Sequence, residues 1–96
     1  MTIIVTDKED LFIADDHDIV IGLYGDIFSG DPVYLYEWLK TEFNSDGNID
    51  LIIDNDSATI SALVVVNALH NDIKSIRVMK EDMLVDASEV LSIIRE

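Results

Sequence analysis

Short runs of β-branched apolar residues, separated by turn chemistry and by segments of helical period, constrain this chain more than any other feature. Ile19 to Tyr24 and Ile49 to Ile53 are apolar almost throughout, the pattern of strands covered on both faces in a mainly parallel sheet. The first is predicted to be the first central strand, closed by Gly25 and Asp26. Met1 to Val5 and Leu11 to Ala14 read as two further short strands, divided by Thr6-Asp7-Lys8-Glu9-Asp10. Ile73 to Met79 alternates apolar residues with Lys74, Ser75 and Arg77, as a half-exposed strand does.

The intervening segments carry helix signals. Asp31 precedes a proline, an N-cap followed by the residue that best tolerates the first helical position, and Val33, Tyr36, Leu39, Lys40 and Phe43 recur at helical spacing. A helix is predicted from about Pro32 to Phe43. Asn44-Ser45-Asp46-Gly47 is turn chemistry. Between Ala58 and His70, Ile60, Leu63, Val64, Val66, Ala68 and Leu69 cover most of a helix circumference, so this helix is expected to be largely buried, with Ser57 able to cap it. Asp86 and Ser88 introduce a last helix whose buried face is expected to be Val90, Leu91, Ile93 and Ile94.

The order β-β-β-α-β-α-β-α with short connections predicts an α/β fold: a small, mainly parallel sheet of about four to five strands with two to three helices. Ninety-six residues, 49% of them hydrophobic, support one core and hence a single domain over residues 1–96. A sheet of this size leaves an edge or a helix face open, and a homodimer or small homo-oligomer is expected.

Six Lys and Arg stand against twenty Asp and Glu, a formal charge of −14, which repels phosphate and argues against direct contact with nucleic acid or an anionic membrane. Such a surface either serves solubility alone, the plainer reading, or suits a basic region of another protein. Cysteine is absent, so thiolate nucleophiles, thiolate metal sites and disulfides are excluded. No apolar run approaches the roughly 20 residues that span a bilayer, the first ten residues lack the pattern of a secretory signal, and the chain is read as cytoplasmic.

In a parallel sheet functional groups gather at the carboxyl ends of the strands, which draws attention to Gly25–Gly30, Asp54–Ser57 and Lys80–Asp82. Asp54 and Asp56, two apart after an apolar strand, are the weak candidates for a Mg2+ site, and the stretch Leu51–Ser57 resembles the motif of haloacid-dehalogenase-type phosphotransferases, which implies a phosphoryl-accepting carboxylate; a solvated helix cap is the plainer reading. Asp15, Asp16, His17 and Asp18 are consecutive and cannot all point inward, which favours a surface loop. His17 and His70 have no local nucleophile. No catalytic set, resident metal or cofactor emerges. The candidate interaction residues are the carboxylates Asp15, Asp16, Asp18, Asp26, Asp54 and Asp56, with Tyr34 and Trp38, most simply core or boundary residues of the first helix, as the aromatics able to anchor an interface.

From Ile19 onward the chain resembles the Clp-protease fold, which includes phage head-maturation proteases. Ile21-Gly22-Leu23-Tyr24-Gly25-Asp26-Ile27 is similar to that family's first core strand and glycine turn, and Asp50–Ile53 to the strand before its diglycine oxyanion loop. Ala58–Leu69 is similar to the helix that follows, and Ile73–Lys80 to the strand leading to the nucleophile. The resemblance places the diglycine on Asp56 and Ser57 and the nucleophilic serine on Met83 or Asp86, and the segment for the histidine and acid falls beyond Glu96. It thus implies a truncated, inactive relative, because carboxylates oppose an oxyanion and neither Met83 nor Asp86 replaces an activated hydroxyl. A weaker resemblance is to the STAS fold of anti-sigma-factor antagonists, which implies a phosphorylatable serine at Ser57 or Ser61.

The sequence thus leads to a non-enzymatic interaction domain binding a basic surface, for instance an inhibitor or nucleic-acid mimic of the kind phages encode. Alternatives are an assembly module joined through a sheet edge or a helix face, and Mg2+-dependent phosphotransfer at Asp54 and Asp56.

Overall fold

The computed structural model describes residues 1–9, 17–54 and 59–94. Among the described residues the α/β architecture is one mixed six-stranded sheet with three helices. In chain order the elements are β1 (Thr2–Val5), β2 (Ile19–Gly22), β3 (Ile27–Phe28), α1 (Pro32–Thr41), β4 (Ile49–Ile53), α2 (Thr59–Leu69), β5 (Ile73–Lys80), β6 (Met83–Asp86) and α3 (Glu89–Ile94). Across the sheet the strands lie in the order β3-β2-β1-β4-β5-β6, all parallel except β6.

The central strands are β1 and β4, in the register Ile3 to Leu51 and Ile4 to Ile52. The segment expected to be the first central strand is β2, one place from the edge, and it stops at Gly22 rather than Tyr24. Leu23 and Tyr24 turn out to solvent. The predicted strand at Leu11–Ala14 lies outside the described residues.

The connections through α1 and α2 run in the same direction across the sheet, and right-handed crossovers then put both helices on one face, where they pack together. Ile3, Val5, Ile21, Ile49, Leu51, Ile73 and Ile76 meet Leu35 and Leu39 of α1, Ala62, Val65, Val66 and Leu69 of α2, and Leu91 of α3 in one cluster. Each of these larger side chains contributes on the order of 2 kcal/mol through lost contact with water. By strand alternation Ile4 and Ile52 point to the opposite face, and both are buried there.

Helix α1 begins as its sequence predicts. Asp31 takes an extended conformation, and its Oδ1 accepts the amides of Val33 at 3.0 Å and Tyr34 at 3.2 Å, with Pro32 next in line. Its buried face is Leu35 and Leu39, while Val33 and Tyr36 are exposed. The spacing showed the helix but not its rotation, because apolar residues occur on more than one side of it.

The same ambiguity explains two further differences. Helix α2 buries Ala62, Val65, Val66 and Leu69 but leaves Ile60 65% and Leu63 58% exposed, so it is less enclosed than its composition suggests. Helix α3 buries Leu91, whereas Val90 and Ile93 face outward, since one short helix over β5 offers a single contact line.

Two strands were not foreseen. β3 has only two residues, too few for periodicity to register. β6 turns back on β5 through Glu81 and Asp82, both with positive φ (49° and 65°), the geometry of a tight hairpin formed without glycine. Asp86 therefore ends a strand, and Ser88 directly precedes α3.

Candidate functional site

The connection after β1 leads to β2 on one side, while the connection after β4 leads through α2 to β5 on the other. Their carboxyl ends diverge, which in an open α/β sheet creates the usual ligand crevice. At that point Asp54 follows β4 and is only 4% exposed. Its amide donates to the Val5 carbonyl at 2.9 Å, continuing the β1–β4 ladder. The Thr6 hydroxyl donates to Asp54 Oδ2 at 3.0 Å and accepts the Lys8 amide at 3.1 Å. Lys8 Nζ lies 3.6 Å from the same oxygen.

A carboxylate withdrawn from water needs such partners, because desolvation otherwise costs several kcal/mol, on the order of what a whole small domain has in reserve. Asp54 is thus not the solvated helix cap of the plainer sequence reading. Lys8 is half exposed, which screens its charge, so the hydroxyl is the more effective partner. Asp56, the second carboxylate of the candidate metal pair, and Ser57 lie outside the described residues. Among the described residues no three His, Asp or Glu side chains converge as metal ligands.

Of the other acidic candidates, Asp15 and Asp16 also fall outside the described residues. Asp18 is half-buried just before β2, and Asp26 is exposed in the turn that follows it, so a strand's length separates them. That turn is tight: the Gly22 carbonyl accepts the amides of both Gly25 and Ser29 at 3.3 Å. Asp7 links it to β1 by accepting the Leu23 amide at 3.1 Å. Ser61, the second serine of the weaker resemblance, is buried in the first turns of α2. Met83 and Asp86, which the protease resemblance aligns with a nucleophile, lie on β6.

Tyr34 and Trp38 come together. One turn apart on α1, they line a groove of about 350 Å3 with Glu37, Thr41 and Glu42. Trp38 is half-buried and packs against Phe43 with ring centroids 5.7 Å apart, so its orientation is fixed from beneath. Tyr34 is exposed. The Thr41 hydroxyl is occupied by the Glu37 carbonyl at 2.7 Å, leaving two aromatic rings and two carboxylates to define the groove's chemistry. On a neighbouring stripe of the same helix, Lys40 Nζ lies 5.9 Å from the centre of the Tyr36 ring, a cation already placed against an aromatic face.

Glu37 and Glu42 were not singled out from sequence. Their signal was the spacing 34, 37, 38, 41 and 42, a stripe along one side of a helix, which attention to the apolar residues alone passed over. No helix among the described residues is long and apolar enough to cross a membrane. No family model matches the sequence, and neither a curated protein nor a solved structure matches it.

Proposed function

We propose that this chain is a non-enzymatic interaction domain that receives a basic segment of another protein along the outer side of α1. The observation that carries this reading is the groove in which Tyr34 and Trp38 stand beside Glu37 and Glu42. An Arg or Lys side chain gains there from the ring faces and from the carboxylates together, each cation–ring contact supplying about 0.5–2 kcal/mol. The charge of −14 draws such a segment in and disfavours acidic competitors. Where the partner's basic surface also holds nucleic acid, the domain acts as a mimic and the two compete.

Trp38 is the chain's only tryptophan, so its fluorescence reports on the groove directly. Titration with a short Arg-rich peptide is expected to change that emission, with affinity falling steeply as salt rises. An acidic peptide of equal length is expected to leave it unchanged. Tyr34→Ala is expected to weaken the Arg-rich peptide by about two- to thirty-fold. If the peptide binds with Trp38 emission unaffected, or equally well to the double variant Glu37→Gln/Glu42→Gln, the groove is not the site.

A further inference from the structure

We infer that the free edge of the sheet is an interface for a second copy of this chain, pairing β6 with β6 in antiparallel fashion. All four residues of β6 are exposed, and Met83, Leu84 and Val85 are apolar, with Met83 68% exposed. On its inner side β6 pairs with β5 through Val78 to Val85 and Met79 to Leu84. Alternate residues of an antiparallel strand direct their N–H and C=O groups away from the first partner, so the outer side of β6 carries the donors and acceptors of a further ladder. Solvent-exposed edge strands are commonly guarded by a lysine, a proline or an inward-pointing charge. Met83-Leu84-Val85 contains none, and Asp86 at its end is engaged by Ser88. Among the described residues the opposite edge is β3, which at two residues offers no comparable template.

Charge decides why the occupant is a second copy. Two bodies of −14 repel one another across most of their surface. Half of the chain's six cations, Lys74, Arg77 and Lys80, lie on β5 beside this edge. Residues 73–94 hold these three against Glu81, Asp82, Asp86 and Glu89, a net of −1, which leaves −13 for the rest. The β5–β6–α3 margin is thus where two copies approach with least repulsion.

Geometry makes the edge self-complementary. Val78 and Val85 are register partners, and Val78 alternates with Arg77 to share the face of Ile76, which belongs to the helix-covered core. Met83 and Val85 therefore point to the side that carries α3, whose Val90 and Ile93 are also exposed. A two-fold axis normal to the sheet keeps the helices of both copies on that side and brings these apolar groups together over the seam. The result is a continuous twelve-stranded sheet.

The test is the mass of the full chain by sedimentation equilibrium from roughly 1 µM to 1 mM, the range in which a short edge interface associates. The 10.8 kDa species is expected to double in mass with concentration, and more readily as salt screens the remaining repulsion. Val85→Lys and, independently, Met83→Lys are expected to hold the mass at the monomer value while the near-ultraviolet circular dichroism of Trp38 stays unchanged. A wild-type monomer throughout the range, or a dimer that survives in a folded lysine variant, overturns the inference.

Discussion

The Thr6 hydroxyl and the Asp54 carboxylate, 48 residues apart in sequence, meet at 3.0 Å where the two central strands end. Asp54 is almost wholly enclosed there, and Thr6 is its closest side-chain donor among the described contacts. Thr6→Val keeps the shape of the side chain and removes the donor. It is expected to lower stability by about 1–3 kcal/mol, the cost of leaving a buried polar group short of a partner. Lys8→Met is expected to cost under about 1 kcal/mol, because the ammonium is half in water. Urea denaturation of the two variants gives the ranking directly, and a larger loss for Lys8→Met would mean that the ion pair, not the hydroxyl, holds the carboxylate in place.

Gly22 marks the close approach of β2 to the end of β1. A methyl group there would overlap the Thr6 carbonyl, and backbone can yield only by parting the strands. Gly22→Ala is therefore expected to cost about 3 kcal/mol or more, the upper range for overpacking. Gly47, at φ +79° with open space around it, isolates the conformational effect from the steric one. Gly47→Ala is expected to cost about 1–2 kcal/mol. Equal denaturation midpoints for the two variants would contradict this account of Gly22.

Among the described residues the Ser29 hydroxyl, buried between β3 and α1, has no hydrogen-bond partner. Folding withdraws it from water, and no described residue offers a hydrogen bond in exchange. Ser29→Ala removes the unmet group while preserving the backbone, and a gain of about 1 kcal/mol is expected. For a chain this small that corresponds to a rise of about 4–8 °C in the thermal midpoint, readable by circular dichroism. A fall in the midpoint would show that the hydroxyl has a compensating role.

The architecture was legible because burial on both faces forces a nearly unbroken apolar run, as at Ile49–Ile53, and because Asp31-Pro32 announces a helix start in local chemistry alone. What sequence did not show depends on a turn without its usual residues or on contacts between residues apart in the chain. Glu81 and Asp82 hold positive φ without glycine, so the β5–β6 hairpin carried no turn signature, and β3 exists only by pairing with β2. Asp54 looked like any carboxylate after a strand until Thr6 and Lys8, from the first strand's loop, were beside it. Tyr34 and Trp38 read from sequence only as core or boundary aromatics. That Glu37 and Glu42 join them required knowing which side of α1 faces the core.

The turn between β6 and α3 gives the chain an acid-sensitive contact. Asp86 Oδ1 accepts the Ser88 hydroxyl at 2.6 Å and the Ser88 amide at 3.1 Å, and Ser88 Oγ in turn accepts the Ile76 amide at 3.0 Å. The Ser88 hydroxyl first, its amide next and the charge of Arg77 last hold the Asp86 carboxyl below its ordinary value of 3.8. Because the folded state favours the ionised form, this contact adds stability above the ordinary value and loses it as pH falls through the lowered one. Two outcomes follow. In carbon-detected titration of the folded protein the Asp86 carboxyl is expected to titrate below 3.8, and Ser88→Ala is expected to return it toward that value, whereas Arg77→Met moves it less. In denaturation experiments Asp86→Asn is expected to be less stable than wild type near neutrality, the gap closing as pH falls through the lowered value of the Asp86 carboxyl and wild type becomes protonated as well. A gap that persists unchanged into acid would assign the effect to side-chain shape rather than to charge at the strand end.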